Sequence, residues 1–569
     1  MLNLLIFFKK SASYAGAFLI SVRKDNRDLG LITLIVLITS ALYAGFFASP
    51  PFFDDINFYR HPGNTLLLSF QATPRWLPYW SMDMTWHYFG LDPTPYRITN
   101  LAIHMATVIV LYILLRQLLG LANRGHGITF SAFAGSLLFS VHPVAVFACG
   151  YMIQRTVLMA TLFSLLMFWA FLRGSLLQRP KWLYMSACFF VVAVYSKEHA
   201  VTAASVCLVF VVWLWRSRII ILAPTFWITR HYIAVFCIYG CIMICVIASK
   251  FGLLATPYEP SISYLLVDLP FDPRYAYPMS VLTQTGLFFK YLFLWAVPNT
   301  AWMSIDMREP IAAPTAVWPY ILTLLAFTVY SIQGARLLWR GGRVGLWGIA
   351  ILTPVLMFFT ELSTVRIQEP FVLYRSYLWL PVTYGLAISG IFTLLSARVA
   401  WVILLIMTSS LAIISANQLH TFTQAQFIWD QAAQLTIGRK NILGSDRIFH
   451  NRGQAYHDLG FSSNALQDYN TSIALAPNLP YSYNNRGALL LDLGKPREAL
   501  ADFNRSLSIK PSPNSLLGRG LAYTAIGNIT SAHQDFFNAC TQGVSRACKI
   551  LEQLSDRRAK TQTEFRQTY

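Results

Sequence analysis

Two adjacent carboxylates, Asp54 and Asp55, sit in the stretch Pro51-Phe52-Phe53-Asp54-Asp55-Ile56-Asn57-Phe58-Tyr59-Arg60, directly after the first apolar run of membrane length. Carboxylates placed where a helix leaves a bilayer are costly unless they stay in water or serve a site at the membrane face. Such a carboxylate can take the proton of a hydroxyl as that hydroxyl attacks a sugar carbon. The same pair could equally do no more than end the helix in a solvated loop, so the rest of the chain must decide between the two.

Four further polar clusters interrupt apolar surroundings: Asn100 with His104; His142-Pro143 with Gln154-Arg155; Lys197-Glu198-His199; and Arg366, Tyr374, Arg375 and Tyr377. Taken singly, each could be a helix end reaching out to water, Arg366 most readily. Their convergence on one leaflet, that of Asp54 and Asp55, argues for a shared site. Arginine forks onto phosphate oxygens and lysine supplies a point charge. Lys197 and Arg375, with Arg155 nearby, are therefore the candidate phosphate cations. Asn100, His104, His142, Glu198, His199 and Tyr377 complete the candidate pocket. A base beside a phosphate clamp suggests glycosyl transfer from a lipid-linked donor. The sequence has no Walker A motif and no GxGxxG after a strand, which argues against a soluble nucleotide sugar.

The elements that must position these residues are membrane helices. Of 569 residues, 55% are hydrophobic and only 12% charged, which excludes a single soluble globule. The 44 basic residues outnumber the 25 acidic ones, but they sit in short clusters between apolar runs, as cytoplasmic loops do. Nucleic acid is therefore a poor explanation of the charge, and no nucleic-acid partner is expected. Residues 1–29, with Lys9, Lys10, Arg23, Lys24 and Arg27 and no small-residue cleavage site, are expected to be a cytoplasmic segment before an uncleaved anchor.

Eleven spans are expected: 30–49, 97–119, 128–147, 155–173, 181–197, 199–215, 231–250, 316–336, 345–361, 377–397 and 400–416. Run 279–298 carries Thr283, Gln284, Thr285 and Lys290 and is expected to be interfacial or re-entrant; if it crossed, Arg336, Arg340 and Arg343 would be forced outside. The Asp54-Asp55 loop (50–96), the second loop (251–315), the segment 361–375 and the C-terminus then share the non-cytoplasmic side. Trp76, Tyr79, Trp80, Trp86 and Tyr88 suit the first loop to short helices at headgroup depth, a lid over the site. Cys237, Cys241 and Cys245 share a helix face, but no His or carboxylate stands beside them, so a metal site is not expected there.

After Asn417 the chain turns polar and repeats itself. Asn451-Arg452-Gly453, Asn485-Arg486-Gly487 and Gly518-Arg519-Gly520 recur at periods of 34 and 33. Each is followed by a glycine (Gly460, Gly494, Gly527), an alanine (Ala465, Ala499, Ala532) and an aromatic (Tyr469, Phe503, Phe536), and Pro477 and Pro511 close the first two units. This is the tetratricopeptide pattern of paired helices. We expect a linker over 418–443, repeats with a capping helix over 444–555, and a polar tail over 556–569. Cys540 and Cys548 flank Gly543 and either form a disulfide in an oxidising compartment or pack the cap as thiols. The fold class is thus all-α: a polytopic membrane bundle of about eleven helices followed by an α-solenoid.

Several of these stretches, in this order, carry a family resemblance. They are the first-loop Asp-Asp; Phe139-Ser140-Val141-His142-Pro143 leading to Tyr151-Met152-Ile153-Gln154-Arg155 and Leu162-Phe163; Ser196-Lys197-Glu198-His199; Tyr377-Leu378-Trp379-Leu380-Pro381; and the tetratricopeptide tail. Together they resemble the transmembrane and tetratricopeptide repeat-containing proteins, glycosyltransferases of the C-type (GT-C) fold related to protein O-mannosyltransferases. The resemblance implies inverting transfer of a sugar from a polyprenyl phosphate carrier, on the non-cytoplasmic face, to an acceptor that is often a protein serine or threonine. It implies Asp54 as the base, with Asp55 beside it, and it places Lys197, Glu198 and Arg155 on family positions. Animal members read Glu-Arg before their Tyr-Leu-Tyr-Leu-Pro, whereas this chain reads Arg375-Ser376, a displacement of one residue or about 100° round a helix. No cofactor is implied: the lipid-linked sugar is a substrate, and a divalent metal is possible but not expected.

The expected partners are the polyprenyl-phosphate sugar, membrane lipid, and an acceptor protein or peptide reached through the repeats. The expected location is a multi-pass membrane protein, in a bacterial inner membrane with periplasmic repeats or in the endoplasmic reticulum of a eukaryote. Transfer to a glycolipid or envelope polysaccharide is one alternative. A non-catalytic scaffold recruiting partners through the repeats is another.

The expected topology is tested with a cysteine placed in 556–569 of a variant lacking Cys540 and Cys548. An impermeant thiol reagent should label it from the non-cytoplasmic side. Labelling only from the cytoplasm would mean that 279–298 crosses the membrane.

Overall fold

The computed structural model describes residues 26–53, 55, 74–122, 127–220, 227–249, 255–256, 266, 269, 271–367, 369–439 and 442–554; Asp54 lies outside the described residues. The chain divides into two compact units, Met1–Ile428 and Trp429–Tyr569. Beyond the isolated bridge Met307–Phe371, the described residues form helices, turns and loops only.

The first unit is a membrane bundle. Its helices are α1 (Asn26–Tyr43), α2 (Trp76–Phe89), α3 (Pro93–Ala122), α4 (Ile128–Ser140), α5 (Pro143–Cys149), α6 (Arg155–Leu177), α7 (Pro180–Ser196), α8 (Ala203–Arg216), α9 (Trp227–Ser249), α10 (Ala276–Ala296), α11 (Trp318–Arg340), α12 (Gly342–Met357), α13 (Phe359–Leu362), α14 (Leu373–Trp379), α15 (Pro381–Phe392) and α16 (Ala397–Thr421). Among the described residues, eight helices are long and apolar enough to cross a membrane, and nine if α4 and α5, bent by 60°, count as one broken span. At that bend the His142 side chain accepts a hydrogen bond from Val144 N, and Pro143 opens α5 without an N–H to satisfy.

Two of the eleven expected spans are helical but shorter: α7 has 17 residues, and 377–397 is divided between α14 and α15. Pro381 cannot donate its missing N–H to the preceding turn and starts α15 as a new helix. Side chains of α6 and α8 are mostly buried, whereas α11 and α16 expose Leu322, Leu325, Val329, Leu405, Ile406 and Ile413, a surface suited to lipid.

Helix α10, 21 residues long, is not among those eight. Its polar side chains face protein. Ser280 Oγ accepts from Arg366 N at 2.9 Å, and Gln284 Nε2 donates to Pro370 O at 2.8 Å. The Tyr291 hydroxyl accepts from Val372 N at 2.9 Å and donates to Val372 O at 3.0 Å, and Trp295 Nε1 donates to Ser376 Oγ at 2.9 Å. One helix thus holds the chain that leads from Arg366 into α14, whose buried backbone groups need partners.

A second clamp holds the chain entering the Asp-Asp loop. The buried Arg97 guanidinium donates to the carbonyls of Phe47, Ser49 and Pro50, while Phe52 stacks on Tyr151 with centroids 5.6 Å apart.

Helix α17 (Ala425–Gln434) lies within the expected linker, 418–443. Three helix pairs follow: α18 (Asp446–Asp458) with α19 (Ser462–Leu475), α20 (Pro480–Asp492) with α21 (Pro496–Ile509), and α22 (Pro513–Ile526) with α23 (Ile529–Thr541). Gly460, Gly494 and Gly527 take φ of 80°, 72° and 91° at the turns within the pairs, the left-handed region that glycine enters freely.

The arginine of each repeated triplet braces its own pair. Arg452 forks onto Asp468, Arg486 onto Asp502 and Arg519 onto Asp535, each 16 residues on, with Nε–Oδ2 distances of 2.7, 2.8 and 2.7 Å. The adjoining glycine makes room for the aromatic of the second helix: a Cβ on Gly487 would stand 3.1 Å from the Phe503 ring, and one on Gly520 would stand 2.6 Å from Phe536. Cys540 and Cys548 are joined in a disulfide that ties the capping helix, helical to residue 554, to the third pair.

Arg486→Ala removes a bidentate, charge-assisted contact and leaves the buried Asp502 carboxylate unpaired. It should destabilise the repeats by about 1–3 kcal/mol. Amide hydrogen exchange in the full-length protein should quicken over 480–509 while the membrane helices stay unchanged; no change in 480–509 would show the fork to be dispensable.

Candidate active site

The candidate site is built around a buried carboxylate. Helix α12 runs into α13, which carries Glu361 to a position only 2% exposed. Three side chains from other segments converge on it: Arg375 Nη1 at 3.2 Å, Arg366 Nε at 3.3 Å and His199 Nε2 at 3.6 Å. Arg366 Nη2 lies 3.0 Å from His199 Nε2, which as the acceptor of that bond leaves the ring proton on Nδ1, facing Glu198 at 3.7 Å. Arg375 also donates to Glu369, through its carbonyl at 3.0 Å and its carboxylate at 3.2 Å.

Helix α7 ends at Ser196, and the break that follows presents Lys197. Its ammonium lies over the Tyr374 ring at 5.4 Å, and among the described residues no carboxylate stands within ion-pair distance of it. Glu198, the next residue, is taken by Arg75, with Nε–Oε2 at 3.0 Å and Nη2–Oε1 at 2.6 Å. Arg75 precedes α2 with φ of 68°, a left-handed backbone uncommon for arginine.

These groups enclose a cleft with about 560 Å³ of empty space, part of it open to solvent, whose walls include Arg75, Gln154, Lys197, Arg366, Glu369 and Arg375. Among the described residues, three arginines (Arg75, Arg366, Arg375) stand against three carboxylates (Glu198, Glu361, Glu369), which leaves Lys197 as the cation without a counter-charge. Such a cleft suits an anion. Among the described residues no three His, Cys, Asp or Glu side chains come together as metal ligands.

Of the residues singled out in the sequence, Gln154, Lys197, His199, Arg366, Tyr374 and Arg375 line this cleft and Glu198 stands behind its wall. Asp54 lies outside the described residues. Asp55 is buried, and its two carboxylate oxygens accept from Ile153 N at 2.9 Å and Met152 N at 3.3 Å, holding the 3-10 turn Met152–Gln154 that borders the cleft.

Arg155 points elsewhere. Its guanidinium donates to Asn100 Oδ1, Tyr96 O, Ser81 Oγ and Thr85 Oγ1, tying α2 and α3 to α6. Asn100 in turn donates to Met152 O at 3.2 Å. His104 bridges the Tyr377 hydroxyl (2.6 Å) and Ser140 O (3.1 Å), and His142 reaches Trp295 O at 3.1 Å while stacking on its ring. These five residues brace helices against one another and do not line the cleft.

Arg75, Glu361 and Glu369 were not singled out. A lone carboxylate ending an apolar run was the signal for Glu361. Nothing local marked Arg75.

Comparison with known proteins finds tetratricopeptide repeat families matching residues 446–479 and 480–513. Among curated proteins none matches the chain. Among solved structures, the chain is similar to the Archaeoglobus fulgidus oligosaccharyltransferase tethered with an acceptor peptide, at 9% identity and a TM-score of 0.36, over 78% of this chain and 59% of that one. The chain is a multi-pass, all-α membrane protein with a tetratricopeptide tail. The likeness to the oligosaccharyltransferase is loose, and the functional reading rests on the side chains.

Glu361→Gln would leave Arg366 and Arg375 facing a neutral amide in a buried setting. Breaking one side of a buried ion pair costs about 3–5 kcal/mol, so the purified variant should melt well below wild type. An unchanged melting temperature would mean that solvent, and not Glu361, carries those cations.

Proposed function

We propose that the chain is a glycosyltransferase of the C-type that moves a sugar from a polyprenyl-phosphate donor to a hydroxyl of an acceptor, inverting the anomeric carbon, on the non-cytoplasmic face of its membrane. The observation that carries this reading is Lys197: a buried lysine on the wall of the cleft, without a carboxylate partner among the described residues. Buried charges are normally paired, and an unpaired one in a cleft marks a ligand of opposite sign.

In this reading the donor phosphate sits against Lys197 and Arg375. The acceptor hydroxyl gives its proton to Asp54 as its oxygen bonds to the sugar carbon; the carbon–oxygen bond to the phosphate breaks, and the polyprenyl phosphate leaves with the electron pair. The leaving group gains negative charge as the sugar departs, so cations there lower the transition state more than the ground state. The step as written assigns no part to a divalent ion. Asp55 positions the loop, because its carboxylate is already committed to the Met152 and Ile153 amides. Arg155 braces α2 and does not touch phosphate.

A protein acceptor is favoured by the repeats, whose stacked helices in other proteins present concave surfaces to peptides. The Cys540–Cys548 disulfide supports an oxidising compartment for the tail, periplasm in a bacterium or endoplasmic reticulum lumen in a eukaryote.

Mass spectrometry of secreted and envelope proteins, with and without the gene, should reveal a glycan lost with it. With a polyprenyl-phosphate sugar as donor, Asp54→Asn should slow transfer by ~10²–10⁴-fold without loss of fold, the usual weight of a general base. Arg375→Lys keeps the charge but not the fork and should cut turnover severalfold. Full activity in Arg375→Lys would move the phosphate site, and near-normal transfer by both Asp54→Asn and Asp55→Asn would end the reading.

A further inference from the structure

The cleft contains a second polar group without a partner. Gln154 ends the 3-10 turn Met152–Gln154; its side chain is only 5% exposed and borders the cleft, and among the described residues its amide oxygen has no hydrogen-bond partner. A buried amide left unpaired is costly, and in a cleft it calls for a ligand group that completes it.

The turn that carries Gln154 is unusually well fixed. Its first two amides donate to the Asp55 carboxylate, the Met152 carbonyl accepts from Asn100, and Gln154 N donates to Tyr151 O at 3.0 Å. The backbone of Gln154 is therefore held on one side by the loop that bears Asp54 and Asp55. Its side chain shares a cleft with Lys197 on the other.

We infer that Gln154 is a specificity-determining residue that hydrogen-bonds a hydroxyl of the transferred sugar; this rests on the donor reading given above. The sugar is bonded to the phosphate, so a donor whose phosphate meets Lys197 brings its ring into the cleft that Gln154 borders. Sugar hydroxyls both donate and accept, so either orientation of the amide satisfies one. Three charged groups nearby are committed elsewhere: Glu198 to Arg75, Glu369 to Arg375, and Arg155 to Asn100 and Tyr96.

A site built to hydrogen-bond a hydroxyl rejects the analogue that lacks it, because its own polar group is then left bare. The test uses full-length protein in lipid nanodiscs with the polyprenyl-phosphate sugar it transfers best and each monodeoxy form of that sugar. For the wild type, one deoxy donor should lose on the order of 10²-fold or more in kcat/KM. In Gln154→Leu, or in the length-matched Gln154→Met should the leucine variant not accumulate, the parent donor should fall to the level of that deoxy donor and the difference between them should vanish. A wild type indifferent to every deoxy position overturns the assignment without need of any variant. So does a deoxy penalty that survives in the Gln154 variants, as it would if the amide binds only water. Absence of transfer from any polyprenyl-phosphate sugar by the wild type would overturn the donor reading and this inference together, whereas transfer without a Gln154-dependent penalty overturns this inference alone.

Discussion

The site depends on one constraint, the cost of keeping several charges inside a helix bundle. Glu361 meets it for Arg366 and Arg375 at once, with His199 filling the remaining side. Desolvating ions is expensive, and such a cluster persists only when its geometry supplies nearly every lost hydrogen bond. Glu369 takes the outer nitrogen of Arg375, and Glu198 takes Arg75. What remains is Lys197. A wall already neutralised elsewhere leaves that ammonium as the place where an incoming anion gains most, since any other cation in the cleft would first have to release a carboxylate.

The same need for internal partners explains α10. Its threonines and glutamine read as a poor fit to lipid, which they are, but their role is to serve backbone. Ahead of α14 the described residues from Arg366 on share one isolated bridge, Met307–Phe371, and Ser280, Gln284 and Tyr291 supply backbone partners along one helix face, with Trp295 reaching the Ser376 hydroxyl within α14. Two arginines of the cleft are therefore located by a helix that contributes none of the cleft's charged groups. Polarity in a membrane helix reports that something needs satisfying nearby, not what it is.

That distinction sets what could be read from residues alone. The repeats were legible because a 34-residue period repeats its own turn glycine, its small alanine and its aromatic, and each helix pair packs from local contacts. The function of the repeated arginine was not, since its aspartate lies 16 residues on, in the partner helix. In the bundle, the helix ends were legible and the direction of their side chains was not. Lys197, His199 and Arg375 reach the cleft, yet Arg155, Asn100, His104, His142 and Tyr377, at comparable helix ends, turn toward neighbouring helices. A run of apolar residues hides which face is buried against protein and which against lipid, because both faces are apolar. Glu361 was hidden for a related reason: a carboxylate at the end of a span reads as a helix end in water, and only the fold brings Arg366, Arg375 and His199 around it.

The paired aspartates show how such a site divides its labour. Adjacent carboxylates repel, and both cannot be equally free at one small site. Committing Asp55 to two backbone amides resolves the conflict: its charge is met by oriented N–H groups, and the chain at residue 55 is fixed against the turn that ends in Gln154. Upstream, Arg97 gathers three carbonyls of residues 47–50, and Phe52 is packed against Tyr151. The backbone on either side of position 54 is thus anchored to the bundle at residues 47–52 and at residue 55. In the proposed reaction the acceptor's proton is taken beside these anchors, and segments fixed before a substrate arrives are what such a step gains from.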